Sequence, residues 1–596
     1  MKRYCTLLLL VLTLLFFYTN SYSNTISINY LSPVPNSKYV KRQANIIIKT
    51  GDYYDINSAK IPSIIKVRGS KSGFHEGKLI FSEANKTLIF KPENIFDFAE
   101  TVYVSINNGL KTISGEPVQS FSYHFMTCKS DIEIDPVDIL KKEAGTESSS
   151  NDSLPGDFPV ITVNYSNNPA SGYIFISNLS FGSHTNVPYL IVCTNSGQPY
   201  NYKRIGTPCY DFKVQPNGNL TYYNNYWRKY YELNSNYQLI DSFYCRNGYT
   251  TDLHELRILN NGHAYLLSYD IEIVDMSQIV QGGDPAAHVT GLVIQELDEN
   301  KNVVFQWRSW DHFQITDATH INFLAPSIDY VHGNSIDIDF DGNLILSSRH
   351  MDEITKIDHN TGNIIWRLGG KNNQFTFVND PIKFSYQHAA RRIPNGHITL
   401  FDNGNYHTPQ FSRAVEYDID DVNMTATLVW EYRNNPSIFG PAMGYVQRLA
   451  NGNTIIGWGQ TNPAVTEVTP DGTRALELDF DSGVYSYRAF RQDWNGPPVG
   501  LSENSNTEPV KYKISQNFPN PFNPSTTIGF ELPVLSNVKL SVYDELGREV
   551  AVLLNDKLSA GSYSYHWDAS GYSSGIYFYR LKANDFTETR KMIILK

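Results

Sequence analysis

The chain has 596 residues, which is too long for one hydrophobic core and favours two to four domains. It contains 40 tyrosines and 31 phenylalanines, and no stretch keeps a 3.6-residue apolar period, so β structure is predicted and a helical protein is excluded. The formal net charge of −11 argues against nucleic acid as the main partner.

The first residues have the pattern of a secretory signal. Lys2 and Arg3 precede an apolar run from Leu7 to Phe17, and small polar residues follow it. This pattern predicts a cleaved signal peptide at residues 1–23. An uncleaved anchor is the weaker alternative, because the run is short for a bilayer.

Four cysteines remain beyond this segment, namely Cys128, Cys193, Cys209 and Cys245. In an exported chain they could form two disulfides. Cys193 and Cys209 are the favoured pair because they flank one predicted loop. The alternative is that the cysteines are buried thiols.

The next segments differ in composition. Residues 24–128 alternate apolar and polar residues in short runs separated by turn residues, which predicts a small β-sandwich. Residues 129–159 are polar and poor in aromatic residues. They are therefore predicted to be a linker.

A repeated unit fills residues 160–496. The clearest copy begins at His332, turns at Asp341-Gly342, and continues through strands at 343–350, 353–358 and 364–368. Four antiparallel strands joined by tight turns describe one blade of a β-propeller. Counting the similar units by their Asn-Gly turns and tryptophans predicts six blades.

Residues 497–511 are predicted to be a second linker, and residues 512–596 a third β domain that forms a sandwich. The run from Lys513 to Thr527 and the basic-apolar end from Arg590 to Lys596 resemble the type A C-terminal sorting domain of the type IX secretion system. The resemblance implies an immunoglobulin-like sandwich, secretion or cell-surface location, and the type IX machinery as a partner. An ordinary accessory domain is the alternative.

Three histidines begin the same strand of different propeller units: His254, His332 and His388. His350 ends a second strand, and Arg367 ends a fourth strand. Since neighbouring strands of a blade alternate in direction, all five residues are expected on one face of the propeller. The innermost strands would bring the three histidines nearest to the axis.

Histidine and arginine on one face suit an anionic tetrahedral group. Arginine offers a planar fork to two oxygens, and imidazole can act as nucleophile, acid or base. A histidine-rich metal site is a second interpretation, since three histidines suit zinc. The third is that each histidine only caps a strand.

Five short segments in order are similar to the bacterial arylsulfate sulfotransferases. They are His332-Gly-Asn-Ser335, Ser347-Ser-Arg-His350, Trp366-Arg-Leu-Gly-Gly370, Gln387-His-Ala-Ala390 and Phe401-Asp-Asn-Gly404. The resemblance implies an exported six-bladed propeller that moves a sulfuryl group from a phenolic sulfate ester to a phenol acceptor. It implies no nucleotide donor and no cofactor, and the predicted sandwich at residues 24–128 fits the domain that precedes the propeller in this family.

The resemblance also implies residue roles. His388 would be the nucleophile that forms a sulfohistidine in a ping-pong reaction. His254, His350 and Arg367 would hold the sulfuryl oxygens and handle the phenolic proton, and His332 and Asn334 would line the site. The arginine is open, because Arg349, Arg391 and Arg392 could serve instead. Two interpretations are open for the aromatic residues of the loop before His388: a wall for phenols, or packing alone. The residues are Phe375, Phe377, Phe384 and Tyr386.

Two other functions remain open on the sequence alone. One is a secreted propeller that binds a ligand or protein without catalysis. The other is a hydrolase of aryl sulfate esters. The oligomeric state is also open, with a homodimer as one alternative.

Overall fold

The computed structural model describes residues 26–59, 64–131, 154–180, 187–496, 501–505 and 511–595. The predicted signal peptide and most of the first predicted linker lie outside these residues. The chain is nearly all β, as predicted, with two helical turns at Ile56–Ala59 (α1) and Ser309–His312 (α2). Four 3-10 turns lie at Glu83–Asn85, Met276–Gln278, Ile315–Asp317 and Arg349–Met351. No helix in the described part of the chain is both long enough and apolar enough to cross a membrane.

The first eight strands form two four-stranded sheets that enclose a core of their own. The sheet orders are β1-β2-β6-β5 and β4-β3-β7-β8. The strands are β1 (Tyr30–Ser32), β2 (Ile46–Lys49), β3 (Ile65–Gly69), β4 (Gly73–His75), β5 (Gly77–Ser82), β6 (Thr87–Pro92), β7 (Thr101–Ile106) and β8 (Phe121–Met126).

The next strands build six antiparallel sheets of four principal strands, which we call blades 1 to 6. The strands up to the end of blade 3 are β9 (Ile161–Ser166), β10 (Tyr173–Ser180), β11 (Tyr189–Cys193), β12 (Pro199–Arg204), β13 (Cys209–Val214), β14 (Leu220–Asn224), β15 (Lys229–Leu233), β16 (Leu239–Phe243), β17 (Thr251–Ile258), β18 (Ala264–Val274), β19 (Ala287–Leu297) and β20 (Val303–Arg308).

The remaining strands of this region are β21 (Ser327–Asp329), β22 (Gly333–Ile338), β23 (Leu344–Ser348), β24 (Glu353–Ile357), β25 (Ile364–Gly369), β26 (Thr376–Val378), β27 (His388–Arg392), β28 (Ile398–Asp402), β29 (Arg413–Asp420), β30 (Thr425–Tyr432), β31 (Tyr445–Arg448), β32 (Thr454–Gly457), β33 (Val465–Val468), β34 (Arg474–Phe480) and β35 (Val484–Gln492). Blades 2 to 5 are β13–β16, β17–β20, β22–β25 and β27–β30. β21 and β26 add parallel to β19 and β30.

The innermost strands of the six blades form a closed ring. β35, β13, β17, β22, β27 and β31 each contact the next, and β31 returns to β35. Blade 1 consists of β10–β12 and the last strand, β35, which pairs with β10. Blade 6 consists of β31–β34, and the first strand, β9, pairs with β34 as a fifth strand. The last strand of this region thus joins the first blade, and the first strand joins the last blade. These two pairings close the ring.

Tight turns reverse the chain between neighbouring strands where the sequence predicted them. Gly342 and Gly396 have φ angles of 82° and 93°, which side chains other than glycine rarely adopt. Their N–H groups donate to Asp339 O and Ile393 O at 2.9 Å. Asp-Gly and Asn-Gly therefore set the hairpins at the end opposite the histidines.

The C-terminal strands form two more four-stranded sheets around a separate core, in the orders β36-β41-β38-β37 and β40-β39-β42-β43. They are β36 (Leu501–Ser505), β37 (Lys513–Ile514), β38 (Ser525–Leu532), β39 (Ser536–Asp544), β40 (Glu549–Leu558), β41 (Gly561–Asp568), β42 (Gly575–Ala583) and β43 (Phe586–Ile594). β36 lies inside the predicted second linker. Its polar sequence resembles a linker because an edge strand requires only backbone hydrogen bonds to join a sheet.

The predicted disulfide between Cys193 and Cys209 was wrong. Both residues are free and fully buried, as is Cys128, and Cys245 is free and buried. Cys193 ends β11 and Cys209 begins β13, so the two belong to different blades and pack in their cores. The alternative of buried thiols is the one that the structure shows.

Candidate active site

His254, His332 and His388 converge at the ring of innermost strands. One ring nitrogen from each histidine lies within 4.8 Å of one ring nitrogen of each of the other two histidines. The ring centres of His254 and His332 are 5.2 Å apart, and those of His332 and His388 are 6.4 Å apart. The predicted meeting of these three residues is observed.

Irregular strand pairing turns these side chains inward. The register between the first two strands shifts near the histidine in blades 3, 4 and 5. His332 has a φ of 48° and Ala389, next to His388, a φ of 56°. Bulges and left-handed residues of this kind redirect side chains and concentrate at functional sites.

The Nδ1 atom of His388 lies 2.7 Å from Oδ1 of Asn403. The orientation of that amide is defined, because Nδ2 of Asn403 donates to Gly440 O at 2.7 Å and to Met443 O at 3.0 Å. Oδ1 must therefore accept, and His388 must carry its proton on Nδ1. This leaves the Nε2 atom of His388 with a free electron pair.

His254 and His332 have carboxylate partners instead. Nδ1 of His254 is 2.5 Å from Oδ1 of Asp252, and Nδ1 of His332 is 2.8 Å from Oδ2 of Asp329. A carboxylate stabilises an imidazolium, whereas the amide of Asn403 supplies no charge. The Nδ1 partner of His388 therefore differs in charge from the partners of the other two rings.

His350 completes the group in a different way. Its ring lies 4.7 Å from that of His332. Its Nδ1 donates to Asp329 O at 2.7 Å, and its Nε2 accepts from NH1 of Arg349 at 2.8 Å. Both nitrogens are occupied, which fixes a neutral ring.

Burial keeps several of these rings neutral. Burial, followed by the charge of Arg349, lowers the pKa of His388 well below its usual value. Burial, followed by His332, lowers the pKa of His350 to about 4. For His332 burial lowers the pKa more than Asp329 raises it.

Arg367, predicted as the arginine of the site, lies away from the histidines, whereas Arg349 is hydrogen-bonded to His350. Nε of Arg367 donates to Glu353 at 2.8 Å, and its NH groups donate to Asp317 at 3.1 Å. Among the described contacts Arg367 meets none of the histidines. Arg367 belongs to the outermost strand of its blade, whereas Arg349 follows the end of β23 beside the channel.

Arg349 is held in place but not saturated. NH2 donates to Pro441 O at 2.9 Å, and the guanidinium lies 4.1 Å from the ring centre of Tyr386. Its Nε is buried and has no hydrogen-bond partner among the described atoms. Seven other arginines of the described residues share this feature, so what distinguishes Arg349 is its contact with His350. A guanidinium in this place suits an anionic ligand.

Asn334, predicted to line the site, instead holds the strand that carries His388. Its Nδ2 donates to Gln387 O at 2.8 Å, and its Oδ1 accepts from Ala389 N at 3.2 Å. These are the two residues that flank His388. The side chain is fully buried, so it positions the histidine and does not face a ligand.

Buried charges from four innermost strands fill the channel next to the site. Arg488 donates to Asp211 at 2.7 Å and to Asn334 O at 2.8 Å. Lys213 lies 2.8 Å from Glu255, and Arg391 also binds Glu255. Three cations face two carboxylates, so this cluster carries one excess positive charge beside a site for an anion.

Only one part of the predicted aromatic wall reaches the site. The ring of Tyr386 lies 5.2 Å from His350 and 5.0 Å from Tyr406, which stacks on His320 at 3.5 Å. The three phenylalanines belong to the core between blades 4 and 5, namely Phe375, Phe377 and Phe384. The loop is therefore aromatic mainly for packing.

Sequence reasoning missed four positioning residues, namely Asp252, Asp329, Asn403 and Arg488. Asn403 stood inside the Phe401-Asp-Asn-Gly404 segment, and Asp252 and Asp329 stand two and three residues before their histidines. Arg488 gave no signal, because it comes from the strand that closes the ring.

Comparisons with known proteins place relatives over two parts of the chain. Residues 194–488 match the family model of the arylsulfotransferases (ASST), and residues 516–595 match that of the secretion system C-terminal sorting domain. The arylsulfate sulfotransferase AssT of Escherichia coli O6:H1 is 30% identical over 193 residues, which cover 26% of this chain and 32% of that protein. The match thus spans about a third of the curated relative.

Solved structures with a similar chain course are distant. A protein of unknown function from Bacteroides caccae has 13% identity and a TM-score of 0.35, covering 54% of this chain and 98% of its own. Virginiamycin B lyase from Staphylococcus aureus, an inactive variant with quinupristin, has 9% identity and a TM-score of 0.30, covering 53% of this chain and 88% of its own. At these TM-scores neither supports an argument.

The two family matches cover the histidine site and the C-terminal sheets. The sorting domain indicates secretion through the type IX system and attachment at the cell surface. Residues 194–488, which hold the histidines, are thus similar to the arylsulfotransferases, and residues 516–595 are similar to C-terminal sorting domains.

Proposed function

We propose that this protein is an aryl sulfotransferase that carries the sulfuryl group on Nε2 of His388. The hydrogen bonds of Asn403 support this most directly, because they place the proton of His388 on Nδ1 and leave Nε2 as the nucleophilic atom. The pKa lowered by burial keeps that atom unprotonated. The family match and the AssT relative support the reaction class.

In the first half-reaction Nε2 of His388 attacks the sulfur of an aryl sulfate. The N–S bond forms as the bond between sulfur and the phenolic oxygen breaks. The leaving phenolate takes a proton from His254, whose imidazolium Asp252 stabilises at 2.5 Å. Arg349 donates its unpartnered Nε to a sulfuryl oxygen.

In the second half-reaction neutral His254 takes the proton of an acceptor phenol. The phenolic oxygen attacks the sulfur, the N–S bond breaks, and His388 recovers its electron pair. His254 ends the cycle protonated, as it began, so protons balance without a cofactor. The kinetics are ping-pong.

Intact-protein mass spectrometry after brief mixing with 4-nitrophenyl sulfate tests this function. A mass gain of about 80 Da is expected, lost on adding phenol and absent from His388→Ala. Fragmentation should place the gain on the peptide of His388. Nitrophenol release without a phenol would indicate a hydrolase, and neither adduct nor release from folded protein would favour a binding propeller.

A further inference from the structure

We propose that His254, His332 and His388 also form a binding site for a divalent transition metal, with Zn²⁺ as the best-suited ion, when no sulfuryl group is bound. One nitrogen from each ring already lies within 4.8 Å of the others. Three histidines with one open position are a donor set that zinc accepts. All three residues are held by secondary structure of adjacent blades.

The surroundings of the rings match those of metal-binding histidines. Such histidines almost always donate the N–H of their second nitrogen to a carboxylate or a carbonyl oxygen. Here each Nδ1 has an acceptor, namely Asp252 at 2.5 Å, Asp329 at 2.8 Å and Asn403 at 2.7 Å. The atoms left to bind a metal are therefore the three Nε2 atoms, and His254 would give up its Nε2 proton when the metal binds.

Charge sets the character of the fourth ligand. The metal brings two positive charges and Arg349 brings one, while Asp252 and Asp329 bring two negative charges, which leaves one positive charge. The NH groups of Arg349 are bound to His350 and to Pro441 O. The open position should therefore bind an anion such as chloride or sulfate in preference to neutral water.

Metal and sulfuryl group use the same electron pair on His388. A bound metal should therefore inhibit transfer competitively with the aryl sulfate, and a chelator should restore the activity. This inhibition rests on the proposed function, whereas the binding itself does not. Metal availability at the cell surface would then regulate the reaction.

Cobalt spectroscopy on the metal-free full chain tests the binding without reference to activity. Co²⁺ should give visible absorption bands that saturate at a single equivalent and disappear when Zn²⁺ is added. His388→Gln and His254→Gln should lose the bands. The control His397→Ala should keep them, because His397 pairs with Glu416 away from the cluster.

A milder variant covers the case in which a histidine variant does not fold. Asp252→Asn keeps the shape of the acceptor and removes its charge, and it should weaken Co²⁺ binding by about 10- to 100-fold. Bands that are absent from the parent chain, or unchanged in both Asp252→Asn and His388→Gln, would overturn the metal site. A sulfuryl adduct without cobalt binding would support the transferase and contradict the metal site. Cobalt binding without any adduct would support the metal site and contradict the transferase.

Discussion

Arg349 and His350, neighbours in sequence, bind each other through a hydrogen bond of 2.8 Å from NH1 of the arginine to Nε2 of the histidine. Since Nδ1 of His350 donates to Asp329 O, the ring has no nitrogen left for a substrate proton. We propose that His350 is a fixed neutral acceptor that positions the guanidinium, in place of the catalytic part predicted for it.

The two arginines of blade 4 should separate activity from stability. Arg349→Gln removes the buried donor that faces the proposed sulfuryl group, so kcat/KM for 4-nitrophenyl sulfate should fall about 10²- to 10³-fold. Arg367→Gln leaves Glu353 buried without its cation, so it should lower the free energy of unfolding by about 3 kcal/mol. Steady-state kinetics and thermal unfolding of both variants distinguish the two effects. A folded Arg367→Gln enzyme with the larger loss of kcat/KM would reverse the assignment.

Asn403→Ala should reduce kcat strongly while leaving the fold intact. Without the amide, His388 loses the contact that places its proton on Nδ1, and loss of the correct tautomer costs on the order of 10²- to 10⁴-fold. The rate of adduct formation, followed by mass spectrometry, reports this step. Asn405→Ala is the matched control, since Asn405 donates to Pro441 O and to no histidine. Equal adduct rates in the two variants would show that Asn403 does not act through His388.

Asn403→Asp should change the pH dependence of transfer. In the parent chain burial and Arg349 hold the pKa of His388 well below its usual value, so its protonation does not limit activity near neutrality. A carboxylate at position 403 favours the imidazolium and raises this pKa. Activity of the variant should therefore be lost on acidification at a higher pH than in the parent. An unchanged acid limb of kcat/KM would count against His388 as the nucleophile.

Glu296 should stabilise the protein mainly in mildly acidic solution. His263 lies 2.7 Å and His359 2.5 Å from its two oxygens, at the side of blade 3 that faces the N-terminal sandwich. The hydrogen bond to Glu296 raises the pKa of His263. Burial would raise the pKa of Glu296, but the hydrogen bonds from both histidines outweigh it and lower that pKa.

The raised pKa of His263 adds stability below about pH 6.5, which is lost as pH rises through the folded value. The lowered pKa of Glu296 adds stability above about pH 4.3, which is lost as pH falls through its folded value. The difference in Tm between the parent and Glu296→Gln should therefore be largest between these limits and smaller at pH 8. A difference that grows with rising pH would contradict this account.

The four cysteines should be inert in the folded protein. Burial raises the pKa of Cys193 to about 12 and that of Cys128 to about 11, so almost no thiolate forms at pH 8. A thiol reagent such as Ellman's reagent should react only after unfolding. It should then titrate four thiols per mature chain. A count of two would indicate a disulfide.

The histidines could be predicted from sequence because their placement is local. Each stands near the start of an innermost strand that ends in a Gly turn, so the register of one repeat predicts the others. The choice between Arg349 and Arg367 depended on distance from the axis. An outermost strand such as β25 can end on the correct face and still lie too far from the channel.

The partners of the histidines were harder to predict. Asn403 meets His388 only because a bulge shifts β27 against β28, and such a shift leaves no periodic pattern in the sequence. The four free cysteines likewise show that an even count in an exported chain does not imply disulfides when large cores can bury the thiols.

The site can form only after β35 has been synthesised and has closed the ring. This strand is the last of the propeller to be synthesised, and it supplies Arg488, which binds Asp211 of blade 2 and the backbone of Asn334 in blade 4. A chain shortened before Val484 would leave β10, β13 and β31 without their neighbour and remove Arg488, one of the three cations of the channel. Assembly of the site is thus coupled to complete synthesis of the propeller, and a chain shortened there would also lack the C-terminal sorting domain.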